Sequence, residues 1–323
     1  MIWNFDAYVT AALFDEGGQA VFALGDGLVR WENGASVAAH DGAILCALRH
    51  PLKEGVLTGG DDGRLVWSRP GGLEVLAEAP GARWVESLAA VNGSSLVAFG
   101  AGREARVLDL ADPRFERVFL HERSVADLAF DAKGRRLAVA TYGGAALWYA
   151  RIADQRPVML RWAGSHIGVA FSPDGKFLIS AMQENALHGW RLSDAKDMRM
   201  GGYPSKVRSL AFLEGGRFLA TSGANGVVLW PFGSADGPMG KEAAEIGYEG
   251  SAIVTRVAAE TGGSRLVAGL DDGRVWAADT RGGGRRDVKS EKGSPITALA
   301  LGGGRIAWGD EDGGAGVADY PVA

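Results

Sequence analysis

The chain has 323 residues, of which 47% are apolar and 23% charged, with a formal charge of −5 and a mean hydropathy of 0.00. This is the balance of a soluble globular protein, and it excludes a general affinity for nucleic acid, which needs a surplus of cationic side chains. No apolar run approaches the roughly 20 residues of a membrane span, and 49 glycines against 11 prolines indicate tight turns between strands, not a disordered linker.

The N-terminal MIWNFDAYVTAALF has no basic leader region and no small-residue cleavage site, so secretion by that route is not expected. The single cysteine, Cys46, cannot form an internal disulfide and fits a reducing, cytoplasmic setting. No membrane partner is implied.

Ile2 to Ala7, IWNFDA, reads as a short lone strand. From Val9 onward one pattern recurs, and its clearest copy is Val207 to Trp230, VRSLAFLEGGRFLATSGANGVVLW. Apolar alternation, a glycine break, a second apolar run, another glycine break and a closing run give three strands joined by two turns. Three short strands cannot enclose a core alone, so each unit must stack on its neighbours.

The units start at Val9, Ile44, Val85, Val125, His166, Val207, Val254 and Ile296, with spacings of 35, 41, 40, 41, 41, 47 and 42 residues. Their third strands end at Trp31, Trp67, Leu108, Trp148, Trp190, Trp230, Trp276 and Ala318. A fourth strand lies between units, at 36–40, 74–79, 117–121 and 157–162, and in DMRMGGY, AAEIGY and RRDVK. The last unit lacks one, and IWNFDA can supply it. The expectation is a single domain over 1–323: an all-β, closed propeller of four-stranded antiparallel blades, its ring locked by the N-terminal strand. Eight units imply eight blades; if the third or the eighth is irregular, seven plus an appendage is the alternative.

FSPDGKFLISA at 171–181 and GGDDGRLVWS at 59–68 resemble the central motif of the WD-repeat (WD40) family, and the similarity spans the chain. That family braces each blade with a His, Ser or Thr, Asp and Trp set, which the resemblance places on His40, Thr58, Asp61 and Trp67 in the second unit. Elsewhere the His position holds Phe5, Gly81, His121, Trp162, Tyr203, Gly250 and Lys292. Most blades must therefore rely on apolar packing.

Strand order puts the loops between second and third strands at the same end as the loops between units, here called the top. Its turns carry Asp26, Asp61, Asp62, Asp271, Asp272, Asp310, Glu311 and Asp312. These belong to units seven, eight, one and two, which adjoin when the ring closes. An acidic sector could orient a basic segment of a partner, although Asp and Gly are also what such turns require. Calcium ligand spacing is absent.

The top inter-unit loops add Arg83, Trp84, Arg161, Trp162, Tyr203 and Tyr248, residue types that dominate interfaces. Trp162 and Tyr203 also fit as covers over blades that lack His, whereas Trp84 stands outside that register. The bottom turns carry Lys53, Lys133, Arg135, Arg136, Lys176, Arg217, Arg265, Arg285, Arg286 and Arg305, which predicts a polarised molecule.

The inner strands offer only Arg49, Glu86, Asp127, His166, Arg208, Arg256 and Cys46 as charged or titratable groups. No His ring, nucleophile motif or phosphate loop is present, so no metal, cofactor or catalytic set is expected. The expected function is a non-enzymatic scaffold that holds a protein or peptide partner on its top loops. A propeller hydrolase or lyase would instead require Glu86, Asp127 and Arg208 to gather in one pocket, and a small-molecule or ion sensor would use the channel mouth or the acidic turns.

Overall fold

The second strand of each unit is a run of apolar residues with no polar alternation, and such a strand needs cover on both faces. Ala20–Leu24, Leu96–Ala101 and Phe177–Met182 are buried along their whole length. Inner strands such as Val9–Phe14 mix buried and half-buried positions and pack on both sides, Ala12 and Phe14 with the last sheet and Ala11 and Leu13 with the next. In this computed structural model, residues 1–248 and 250–321 are described. Glu249 of the IGYEG loop, Val322 and Ala323 lie outside them.

The described strands are antiparallel and form seven sheets, six of four strands and one of six. Ile2–Asn4 pairs with Gly314–Asp319 as the outer strand of the last sheet, with Ile2 opposite Gly316. The Met1 ammonium adds a 2.9 Å bond to the Val317 carbonyl. Val9, Ala12 and Phe22 of the first sheet share one apolar cluster with Ala298, Ala307 and Val317 of the last.

Counted by main-chain pairing the propeller has seven blades, not the eight expected. The difference lies in units four and five. Arg136–Tyr149 folds back at Gly143 and Gly144, whose φ values are 91° and 136°, and the Ala150 N–H bonds the Arg135 carbonyl at 2.9 Å. Val158–Phe171 then runs unbroken from the outer edge of unit four, where Leu160 faces Ala145, into the inner strand of unit five, where Phe171 faces Leu178. The linking segment RWAGSH is extended, and Ser165 pairs with Tyr142, so hydrogen bonding joins two repeat units into one sheet.

Some glycines serve packing instead of turns. A Cβ on Gly309 would lie 2.2 Å from Cγ1 of Val9, and one on Gly269 would lie 2.4 Å from Cγ2 of Ile296. Each glycine sits in a second strand and admits the first β-branched residue of the next unit. The inner strands are also linked by side chains. Thr10 donates to the Ile44 carbonyl, Thr255 to that of Ile296 and Thr297 to that of Val9, at 2.9, 2.7 and 2.7 Å.

Val207 to Trp230, the most regular copy in sequence, is less regular in three dimensions. Its inner strand spans only Leu210–Leu213, because Ser222 Oγ accepts the N–H groups of Arg208 and Ser209 at 2.9 and 3.1 Å.

Candidate interaction face

The top loops rest on buried polar braces. His40 Nε2 meets Thr58 Oγ1 at 2.8 Å, and His40 Nδ1 meets Asp62 Oδ1 at 2.9 Å. The carboxylate of this brace is therefore Asp62, not Asp61 as the family pattern implied. Burial alone would raise the Asp62 pKa, but the His40 ring and the Arg64 and Asp41 N–H groups outweigh it and hold the carboxyl below its usual range. Trp67 is also placed differently. Its Nε1 donates to the Glu54 carbonyl at 2.9 Å, and its ring packs on His50, Lys53 and Arg69.

Tyr203 substitutes for the missing His of unit six. Its hydroxyl lies 2.7 Å from Thr221 Oγ1 and accepts from Trp230 Nε1 at 2.6 Å. The side chain is buried, which pushes the phenol pKa up to about 12. Tyr203 is accordingly a brace, and the expectation that it offers a contact surface is corrected.

In unit five the His is displaced to the strand itself. His166 Nδ1 lies 2.7 Å from Ser180 Oγ, and Trp162 stacks on His188 with ring centroids 3.9 Å apart. Trp162 thus covers a blade while keeping 37% of its surface exposed.

Most of the expected acidic groups bond within their own turn or to the adjoining inter-unit loop. Asp26 accepts from Leu28 N–H, Asp271 from Ile253 N–H, and Asp310 from the N–H groups of Asp312 and Gly314. Asp272 pairs with Arg274 at 2.9 Å, and Asp312 accepts from the Ser294 hydroxyl. Local pairing of this kind weakens the acidic sector. At the bottom end Arg136, Lys176 and Arg305 likewise pair with Asp131, Asp174 and Glu32, at 2.9, 2.9 and 2.6 Å.

The aromatic residues behave differently. Among the described residues six tyrosines and tryptophans are exposed: Tyr8, Trp84, Tyr142, Tyr149, Trp162 and Tyr248. All but Tyr149 lie at the top. Trp84 is 56% and Tyr248 67% exposed, while Arg83 beside Trp84 lies 3.5 Å from Glu104. Arg161 is exposed next to Trp162.

Tyr8 and Tyr142 were not singled out from the sequence. Tyr8 precedes Val9 just as Trp84 precedes Val85, so that register could have revealed it. Tyr142 borders a depression of about 480 Å³ with Arg123, Ser124, Ala126 and Ser165.

The channel groups gather only in part. Asp127, Arg208 and Arg256 line one cavity of about 340 Å³, which Glu86 does not reach. Among the described residues no group of three or more His, Cys, Asp or Glu side chains could hold a metal ion, and no helix is long and apolar enough to cross a membrane.

No family model matches the chain, and no curated protein matches it in sequence. Among solved structures it is similar to the crystal structure of the computationally designed Ika8 protein. The TM-score is 0.79 at 20% identity, covering 98% of this chain and 97% of the other. That likeness shows the fold alone.

Proposed function

We propose that this chain is a non-enzymatic, WD-repeat-type scaffold, a closed ring working in the cytoplasm, that binds a protein or peptide partner on its top face. One observation carries the reading: of the exposed Tyr and Trp side chains among the described residues, all but one stand at the same end of the propeller. Such side chains favour burial against a partner and lose few rotamers in doing so. Part of this face is already held. Tyr8 accepts from Gly25 N–H through its carbonyl at 2.8 Å, and the His40 and Tyr203 braces stiffen the turns nearby, which limits the entropy lost on docking.

The acidic turns take a secondary role, orienting a basic segment of the partner through Asp271, Glu311 and Asp312, which remain exposed. Affinity capture of the full chain from its native cell tests the reading. A stoichiometric partner should be recovered with the wild type and lost with the Trp84→Ala/Tyr248→Ala variant. Retention of every partner by that variant, folded by circular dichroism, would remove the top face from the account.

A further inference from the structure

Around the channel, a side chain near the start of one inner strand usually bonds the main chain of the next. Asp127 Oδ2 accepts from Val169 N–H and Ser209 Oγ from Val257 N–H, both at 2.8 Å. Among the described residues the junction between units five and six has no such bridge. The corresponding residue there is Gly168, and the facing strand does not begin until Leu210 because Ser222 draws Arg208 and Ser209 aside. The cavity of about 340 Å³ opens at this gap.

Its polar lining is unbalanced. Arg208 and Arg256 both contribute, and among the described residues neither forms an ion pair with a carboxylate. Arg256 Nη1 reaches only the Thr255 carbonyl, at 3.0 Å. Burial lowers the Arg256 pKa; the nearby Tyr8 hydroxyl works against this and the Arg208 charge adds to it. Among the described lining residues Asp127 is the one carboxylate, and one of its oxygens is occupied by Val169 N–H. Two guanidinium groups facing one partly enclosed space repel each other, and a bound anion would relieve that repulsion. Guanidinium forks suit the paired oxygens of carboxylate and phosphate, and the volume lies within the range of small-molecule sites.

We propose that the gap between the inner strands of units five and six is a binding site for a small oxyanion, a carboxylate or phosphate group held by Arg208 and Arg256. Asp127 limits the choice to ligands that are compact or that present a hydrogen-bond donor on its side.

Isothermal titration calorimetry on the full chain, at fixed ionic strength, tests the site with inorganic phosphate and, separately, succinate as probes. Saturable binding of at least one probe is expected, weakened about tenfold or more by Arg208→Gln and by Arg256→Gln. Which probe binds distinguishes phosphate from carboxylate recognition. Arg208 is exposed, so Arg208→Gln should keep the wild-type fold, and Gly168→Val should block the cavity with both arginines intact. No binding of either probe up to roughly 10 mM, or unchanged affinity in a folded Arg208→Gln protein, would overturn the proposal.

Discussion

Thr297 Oγ1 donates to the Val9 carbonyl at 2.7 Å, which ties the last inner strand to the first across 288 residues of sequence. The bond is buried, and beside it Val9 packs into the space left by Gly309. Thr297→Val should lower stability by about 1 kcal/mol, the net worth of one buried hydrogen bond. Gly309→Val should cost more, about 1–3 kcal/mol, through overpacking. Urea denaturation checks both, as a lower midpoint with an unchanged slope.

Tyr203→Phe removes the hydroxyl that serves both Thr221 and Trp230 while keeping the ring. The expected loss is about 1–2 kcal/mol of stability, with partner binding unchanged. Thermal unfolding and a binding assay on the same variant separate brace from contact.

Asp61 and Asp62 are adjacent, yet only Asp62 bonds His40. Asp62→Asn should destabilise the second blade, whereas Asp61→Asn should leave the unfolding free energy within about 0.5 kcal/mol of wild type in urea denaturation. Equal effects from the two variants would restore the family's assignment of the brace.

His188 is fully buried beneath Trp162, and burial lowers its pKa to about 4; burial also brings His50 and His121 to about 4. Each folded-state pKa lies below the unfolded value near 6.5. The unfolded chain therefore takes up protons first as pH falls, and stability present above about 6.5 is lost as pH drops toward 4. Asp127, raised by burial to about 6, opposes this between about 4 and 6, because its protonated form favours the folded state. His188→Phe keeps an aromatic ring and should flatten the decline in thermal midpoint between pH 7 and 5.

The strand pattern and its period were legible because each strand signals its burial through apolar runs and each turn through glycine. The outer strand supplied by Ile2–Asn4 was legible for the same reason: one unit lacked a partner and one strand lacked a unit. The joining of units four and five was not, since RWAGSH differs little in composition from other links and only main-chain pairing decides whether it is extended. The choice of Asp62 over Asp61 turns on one residue of rotation in a tight turn, which periodicity does not resolve. Tyr203 in the brace required seeing that a phenol can span the distance an imidazole covers elsewhere. The channel cavity arises from Gly168 and Ser222 together, two residues 54 positions apart in the sequence.

The most direct measurement compares aromatics at the two ends of the propeller. With the captured partner in hand, dissociation constants are determined for Trp84→Ala at the top and Tyr149→Ala at the bottom. The account predicts a loss of roughly thirtyfold, about 2 kcal/mol, for Trp84→Ala and wild-type affinity for Tyr149→Ala. Wild-type affinity in the Trp84→Ala protein together with weakened binding in the Tyr149→Ala protein would contradict it.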